Sequence, residues 1–204
     1  MEINEWKQRI AERGDLTRRL IHLTKEKDGK DAVENLVKIL IDRKLDGSGK
    51  EGFIVGEKNA VCLQECPLYS LSQNIYYEKK MRREGKYKKV RYRGVGLMFE
   101  KTDVYKKGGR PVIYDKTEDA KKYLPKEQWW RIVNLDLSDP NKIIDWTHER
   151  EWRVPNQLNF NLSEVTIILG STSALRELNR LCKRKNIDFI NEVKGIVNIN
   201  DLFY

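Results

Sequence analysis

The sequence predicts an α+β fold, in which helices flank a sheet of short strands. Short apolar segments bounded by glycine or polar residues are interspersed with amphipathic segments. No strand–helix–strand unit recurs, as it would in a doubly wound sheet, and neither an internal repeat nor a linker interrupts the 204 residues. We therefore expect one domain that covers residues 1–204.

Amphipathic spacing predicts the helices. The clearest is DAVENLVKILIDRKL, in which apolar residues follow the i, i+3, i+4 spacing of one helix face. These residues are Val33, Leu36, Val37, Leu40 and Ile41. STSALRELNRLCKRKN starts at a serine or threonine cap and directs a second apolar face inward. The other predicted helices are residues 2–13, a segment that runs into EKKMRREGKYKKVRYR, TEDAKKYL, and PKEQWWRIV with proline in its first turn.

Short apolar or alternating segments predict the strands. In chain order they are RRLIHLT, NAVCLQE, GVGLMFE, RPVIYD, EWRVP, EVTIILG, DFINEV and GIVNI. DGSGKEG, from Asp46 to Gly52, predicts a flexible loop.

Composition narrows the class of protein. The formal net charge of +9 and the pI near 9.3 favour a polyanionic partner, most often nucleic acid, although a lysine-rich soluble protein has the same composition. No run of about 18 apolar residues predicts a membrane span, and the N-terminal segment lacks the apolar core of a signal peptide. Three cysteines, Cys62, Cys66 and Cys182, then predict reduced thiols in a cytoplasmic protein with no membrane partner.

Residues 78–93 form a basic run of nine lysines and arginines against two glutamates. Its cations can neutralise phosphates, and its interleaved Tyr87 and Tyr92 can stack on unpaired bases. The alternative is a solvated connection of high charge density. The predicted nucleic-acid contacts are Lys79, Lys80, Arg82, Arg83, Lys88, Lys89 and Arg91.

The segment DWTHEREWRVP, from Asp145 to Pro155, combines acidic, basic and aromatic residues. On a continuous strand Glu149 and Glu151 share one face, while Arg150 and Trp152 share the other. Two carboxylates on one face can stabilise positive charge and orient a nucleophile. Surface salt bridges of these glutamates with Arg150 and Arg153 are the alternative interpretation.

Several motifs together resemble a known family. HLT, from His22 to Thr24, is followed by the helix NLVKIL and later by the glutamate-bearing strand EWRVP. This order is similar to the DarT-type ADP-ribosyltransferases, which modify nucleic acid in bacterial toxin–antitoxin and phage-defence systems. VCLQECPL, GVGLMFEK, GGRPVIYD and HEREWRVP also resemble blocks of related abortive-infection proteins. The similarity covers most of residues 18–170.

The resemblance implies an ADP-ribosyltransferase-like split, bent mixed β-sheet that holds NAD⁺ as co-substrate, with no metal required. It implies that His22 contacts the adenosine-side ribose, with Thr24 beside it. Glu151 would engage the nicotinamide-side ribose and stabilise the oxocarbenium ion as nicotinamide leaves. Glu149 would position or deprotonate the acceptor. An antitoxin protein is a further implied partner.

Two more residues are candidates for the same cofactor site. Arg110 in GGRPVIYD can bind the pyrophosphate because a guanidinium binds phosphate bidentately, or it is a surface turn arginine. Glu65 in LQECP can line the cleft or cap a turn.

Two other function classes stay open. A metal-dependent nuclease would use Asp145, Glu149 and Glu151 around Mg²⁺, because hard cations take oxygen ligands. A noncatalytic nucleic-acid-binding module would show salt-sensitive binding and no product.

Overall fold

The computed structural model describes residues 1–86 and 93–202. The chain divides into two compact units. Unit 1 comprises residues 1–43, 66–100 and the segment from residue 160 onward, and unit 2 comprises residues 44–65 and 101–159. The expectation of one domain over residues 1–204 stays a prediction.

The elements follow in chain order within the described residues. The α-helices are α1 (Ile3–Ala11), α2 (Ala32–Asp42), α3 (Leu68–Arg83), α4 (Lys101–Lys106), α5 (Thr117–Tyr123) and α6 (Thr172–Lys185). The strands are β1 (Arg19–Leu23), β2 (Lys44–Asp46), β3 (Ala60–Gln64), β4 (Val95–Glu100), β5 (Arg110–Pro111), β6 (Ile113–Asp115), β7 (Ile132–Asn134), β8 (Glu151–Pro155), β9 (Gln157–Asn159), β10 (Thr166–Leu169) and β11 (Gly195–Asn198). Short 3₁₀ helices cover Lys50–Gly52, Lys126–Arg131, Thr147–Glu149, Leu162–Glu164 and Ile199–Leu202.

Unit 1 contains a mixed sheet in the order β11-β10-β4-β1. β10 and β11 are parallel, whereas β10–β4 and β4–β1 are antiparallel. α2 packs against α6 and against β4. Helices and a mixed sheet in one unit confirm the α+β class.

α2 is fixed by its cap and its apolar face. The Asp31 carboxylate accepts the backbone N–H groups of Val33 and Glu34, both at 2.8 Å, and so satisfies donors that have no partner within the helix. Four of the five predicted inward residues are buried, but Ile41 is exposed. The helix ends earlier than the sequence predicts, because Arg43 adopts a left-handed conformation (φ 52°) and β2 begins at the next residue.

α3 packs on one side of the sheet of unit 1. Its Leu71 and Ile75 form a cluster with Ile21 of β1, Met98 of β4 and Ile168 of β10. The Ser72 hydroxyl also donates to the carbonyl of Ile199 at 3.2 Å. The helix is thus held along a single face.

Unit 2 contains three groups of paired strands. β3, β8 and β5 are antiparallel in that order, β2 pairs antiparallel with β9, and β6 pairs parallel with β7. Ile54, Ala60 and Trp130 form a buried cluster, with Cys62 packed against it.

Some predicted elements are wrong. DFINEV is a turn and not a strand, because the Asp188 carboxylate accepts from the backbone and side chain of Asn191 and the Val193 N–H bonds the Phe189 carbonyl. PKEQWWRIV begins as a 3₁₀ helix but ends in β7, where β-branched Ile132 and Val133 pair with β6. RPVIYD is divided into β5 and β6. The helix predicted to run into EKKMRREGKYKKVRYR, by contrast, is confirmed as α3, which ends at Arg83.

Other expectations hold. None of the three cysteines, all of which the structure describes, forms a disulfide. Among residues 1–86 and 93–202, no helix has the length and apolar character needed to cross a membrane.

Gly96 allows β1 and β4 to approach closely. A methyl group on Gly96 would collide with the carbonyl oxygen of His22, while one on Gly14 would meet no atom within 4 Å. Gly96→Ala should therefore lower the free energy of unfolding by about 1–3 kcal/mol, measured by urea denaturation. Gly14→Ala is the control and should stay within about 0.5 kcal/mol of the parent protein. Equal stability of the two variants would contradict the close pairing.

Candidate functional site

A row of polar side chains lies on one face of the β3-β8-β5 sheet in unit 2. Gln64 is opposite Glu151, Cys62 is opposite Arg153, and Arg153 is opposite Arg110. Residues that face each other in antiparallel strands project to the same side. The register therefore brings these five side chains onto one face.

Glu151 and Arg153 form a buried ion pair within this row. Arg153 Nε donates to Glu151 Oε1 at 2.8 Å, and Nη2 donates to Oε2 at 3.4 Å. Arg153 Nη1 also donates to the carbonyls of Trp130 (2.7 Å) and Ile132 (3.0 Å). Glu151 is only 8% exposed, so its carboxylate is charge-balanced and held in one orientation.

Tyr114 contacts Glu151 and is affected electrostatically by Glu149. Its hydroxyl accepts the backbone N–H of Glu151 at 2.8 Å. Burial raises the pKa of Tyr114 to about 12, and the negative charges of Glu151 and Glu149 act in the same direction. Glu149 and Glu151 thus both lie near this hydroxyl.

Glu149 does not lie on the strand, contrary to the sequence prediction. It ends the 3₁₀ helix Thr147–Glu149, and Arg150 adopts a left-handed conformation (φ 43°, ψ 52°) before β8 begins at Glu151. This turn breaks the alternation that would have placed both glutamates on one strand face.

Gln64 and Cys62 complete the environment of Glu151. Oε1 of Gln64 is buried and accepts no hydrogen bond from the residues that the structure describes. Burial raises the pKa of the Cys62 thiol far above its ordinary value, and the charge of Glu151 raises it further. An acceptor without a donor is thus placed beside the carboxylate, and the thiol is kept protonated.

Arg110 and Arg131 lie close together near β5. Arg110 Nη1 donates to the carbonyls of Tyr105 (3.0 Å) and Gly109 (2.7 Å), and its guanidinium stacks 4.0 Å from the Tyr105 ring centroid. Arg131 Nε donates to the Pro111 carbonyl at 3.1 Å. Burial lowers the pKa of Arg131, as does the positive charge of Arg110. Neither arginine pairs with a carboxylate of the described residues.

Glu65 is separated from this row. Trp152 alternates with Glu151 and Arg153 and so projects to the other face of β8. Its indole Nε1 donates to Glu65 Oε2 at 2.9 Å, and Lys101 Nζ lies 2.6 Å from Glu65 Oε1. These partners hold Glu65 on the opposite face of β8, and cofactor binding by Glu65 stays a prediction.

His22 and Thr24 belong to unit 1. His22 is half-buried on β1, opposite Leu97 of β4. Thr24 follows the strand and is buried, with its hydroxyl 3.1 Å from the carbonyls of both Ala32 and Val95. That hydroxyl therefore joins the start of α2 to β4. Cofactor binding by His22 and Thr24 stays a prediction.

Part of the predicted nucleic-acid surface lies on α3. Lys79, Lys80, Arg82 and Arg83 are exposed at its C-terminal end. Lys88, Lys89 and Arg91 lie outside the described residues.

The acids of the nuclease alternative have other partners. The Asp145 carboxylate accepts from the backbone N–H and hydroxyl of Thr147 at 2.8 and 2.7 Å, which lowers its pKa. Glu151 is paired with Arg153. Across residues 1–86 and 93–202, no group of three His, Cys, Asp or Glu side chains that could hold a metal ion occurs.

The sequence analysis considered Arg153 only as a partner of the glutamates in a surface salt bridge, whereas the pair with Glu151 is buried, and it missed Tyr114, Gln64 and Arg131. Alternation along EWRVP places Glu151 and Arg153 on one strand face, so the sequence alone allows their pairing to be predicted. The other three come to this face through pairing between segments distant in sequence, which no local pattern indicates.

The ion pair should dominate the stability of unit 2. Arg153→Met leaves the Glu151 carboxylate buried without a countercharge, which should cost about 3–5 kcal/mol of unfolding free energy. Adding Glu151→Leu should recover a large part of this loss, because both charges are then gone. Urea denaturation of the two single variants and the double variant measures the coupling. Additive losses would show that the two side chains act independently.

The Cys62 thiol should be poorly reactive in the folded chain. A raised pKa lowers the thiolate fraction at pH 8, so iodoacetamide should label Cys62 at least about tenfold more slowly than in the urea-unfolded chain. Glu151→Gln removes a negative charge and should speed labelling of Cys62. Cys182 in unit 1 is the internal control, and its labelling rate should not change. Peptide mass spectrometry measures each site, and folded-state labelling of Cys62 at the unfolded rate would contradict the placement.

Comparison of the chain with protein-family models, curated proteins and solved structures gave no match. The functional proposal therefore rests on the chain's own residues and on the motif resemblance.

Proposed function

We propose that this protein is an NAD⁺-dependent ADP-ribosyltransferase that modifies nucleic acid, with Glu151 as its central catalytic residue. The observation that carries the proposal is the fixed carboxylate at the first residue of β8, beside the unpaired buried oxygen of Gln64. The resemblance of the HLT, NLVKIL and EWRVP motifs to ADP-ribosyltransferases supports the same assignment.

The chemistry requires a carboxylate that does not reorient during the reaction. Cleaving the glycosidic bond of NAD⁺ releases neutral nicotinamide with the bonding electron pair and leaves positive charge on the ribose. A carboxylate held in a water-poor site stabilises such charge without reorganisation. Burial and two hydrogen bonds from Arg153 fix Glu151 in this way.

The residues around Glu151 fit the groups of NAD⁺ chemically. A carboxylate has about four lone-pair positions. Arg153 occupies two and the Cys62 thiol also bonds this carboxylate, which leaves about one acceptor position for a ribose hydroxyl. Oε1 of Gln64 is a further acceptor. Arg110 and Arg131 are guanidinium groups with no carboxylate partner among the described residues, and guanidinium binds phosphate oxygens.

Glu149 has a separate role in the proposal. The acceptor loses a proton when its heteroatom bonds to the ribose carbon, and a nearby carboxylate can take that proton. Glu149 lies near the Tyr114 hydroxyl that contacts the backbone of Glu151. The overall reaction then yields ADP-ribosylated nucleic acid, nicotinamide and one proton.

The ion pair also has a purely structural interpretation. Arg153 ties β8 to the carbonyls of Trp130 and Ile132, and a glutamate that only balances this arginine would have no catalytic part. The two interpretations differ in what Glu151→Gln changes. The amide keeps the size of the side chain and a hydrogen-bond acceptor, but it removes the negative charge.

The decisive assay measures nicotinamide release and transfer of label from NAD⁺ to single-stranded DNA, RNA or cell extract. Glu151→Gln should lower the rate by about 10²–10³-fold, the usual loss for one group that stabilises transition-state charge. Glu118→Gln is the matched control, since Glu118 is an exposed acid of α5 paired with Lys121, and it should keep the parent rate. Thermal unfolding of both variants separates lost activity from lost folding.

Three outcomes would overturn the proposal. They are an unchanged rate in folded Glu151→Gln, a parent protein that does not consume NAD⁺ with any acceptor, and Mg²⁺-dependent cleavage of nucleic acid that is indifferent to NAD⁺. The last outcome would select the nuclease.

A further inference from the structure

Phe53 is exposed to solvent where the 3₁₀ helix Lys50–Gly52 of unit 2 ends. It is 89% exposed, the highest value for a large apolar residue in the part of the chain that the structure describes. Its ring forms no aromatic or cation–π contact with the described residues. An apolar side chain stabilises a fold through the surface that it buries. The Phe53 ring therefore contributes almost nothing to the packing of unit 2.

The backbone of Phe53 adopts a conformation that a bulky residue disfavours. Its φ of 61° and ψ of 26° lie in the left-handed region. A bulky side chain raises the free energy of this conformation, whereas glycine adopts it readily. The Phe53 N–H donates to the Lys50 carbonyl at 3.1 Å, but any residue except proline can supply that bond. The local structure thus explains the turn and does not explain the ring.

A cavity of about 450 Å³ opens next to this ring on the same unit. Ile54, the residue that follows Phe53, lines it together with Val55 and Trp129, and we call it the Trp129 cavity. Its walls are fixed, because Ile54 is buried and Trp129 Nε1 donates to the Leu124 carbonyl at 3.0 Å. A cavity of this volume has room for a small ligand. It therefore has room for one phenyl ring.

An exposed ring beside an apolar cavity forms a self-complementary surface. A two-fold axis between the two features brings the ring of one copy to the cavity of a second copy. Symmetry then requires the reverse contact as well. A single rotation thus buries two exposed rings in one dimer.

The charges at the rim of the cavity suit the same arrangement. Lys50 and Glu57 both line the cavity and are exposed, and neither has an ion-pair partner among the described residues. The remaining charged residue of the lining, Lys121, is paired with Glu118 at 2.8 Å. Two copies related by a two-fold axis can bring each unpaired charge to its opposite.

We propose that this surface of unit 2 is a self-association site, at which Phe53 of each copy inserts into the Trp129 cavity of the other. Lys50 of each copy pairs with Glu57 of the other copy. One phenylalanine buries about 150–250 Å², whereas a stable interface buries about 800 Å² on each partner. The dimer is therefore weak and depends on concentration. This association is independent of the proposed ADP-ribosyl transfer.

Sedimentation velocity of the full chain, from about 1 μM to about 1 mM and without NAD⁺ or nucleic acid, tests the site. The parent protein should approach twice the monomer mass as its concentration rises. Phe53→Gly retains the left-handed turn but removes both rings from the dimer. It should remain monomeric, because the dissociation constant rises by about 10²-fold or more.

Leu137→Ser is the matched control for the loss of an exposed apolar side chain. Leu137 is 57% exposed and belongs to unit 2, but it does not line the Trp129 cavity. This variant should associate as the parent protein does. Thermal unfolding confirms that it and the other variants are folded.

A mixing experiment tests whether the insertion is reciprocal. Val55→Phe fills the cavity from its own wall and keeps the exposed ring of Phe53, and alone it should remain monomeric. Its equimolar mixture with Phe53→Gly should associate more strongly than either variant alone. The reason is that the ring of one variant still meets the open cavity of the other.

Charge reversal tests the ion pair across the axis. Lys50→Glu and Glu57→Lys should each weaken association, because like charges then face each other in the dimer. The double variant has the net charge of the parent protein and should associate as the parent does. Association of the double variant no stronger than that of the single variants would overturn the Lys50–Glu57 pairing.

Three results would refute the site. They are a parent protein that stays monomeric over the whole range, folded Phe53→Gly that associates as the parent does, and a mixture that associates no better than its components. An equal loss of association in Leu137→Ser would also refute it, because association would then depend on apolar surface in general. Since NAD⁺ is absent, these results leave the proposed transfer reaction untouched, and failure of the NAD⁺ assay leaves this site standing.

Discussion

The buried contact between Glu151 and Arg153 is the interaction on which unit 2 depends. Two charges out of water are costly unless each is fully compensated. Here the guanidinium satisfies the carboxylate and also two carbonyls, of Trp130 and Ile132, from a segment that precedes β8 by about twenty residues. The pair therefore balances the charge of Glu151 and also fixes the position of residues 130–132 relative to β8.

The same contact provides what the proposed chemistry needs. A flexible surface glutamate must reorient and lose hydration when charge develops nearby, and both steps cost free energy. A glutamate that is already desolvated and held by an arginine needs neither step during the reaction, because both took place when the protein folded. The Tyr114 hydroxyl also helps to fix Glu151, because it accepts the backbone N–H of that residue. The raised pKa of Tyr114 keeps this hydroxyl neutral over the physiological pH range. The polar face thus combines a fixed carboxylate, paired with Arg153, with the neutral side chains of Tyr114 and Cys62.

The polar face of β3, β8 and β5 relies on desolvation. In a water-poor environment each hydrogen bond is strong, so the bonds from Arg153 hold Glu151 firmly.

The sequence by itself determined the α+β class and the elements whose patterns are local. The apolar face and cap of α2, the strand EWRVP and the basic end of α3 all follow from residues a few positions apart. Local patterns gave wrong boundaries where one residue adopts a left-handed backbone conformation. Arg43 ends α2 early in this way, and Arg150 makes β8 begin at Glu151 instead of including Glu149. Only the tertiary structure placed Gln64, Tyr114 and Arg131 around the predicted site and moved Glu65 to the other face. The reason is physical: strand register and the direction of a side chain across a sheet are fixed by pairing between distant segments, and no spacing within one segment encodes them.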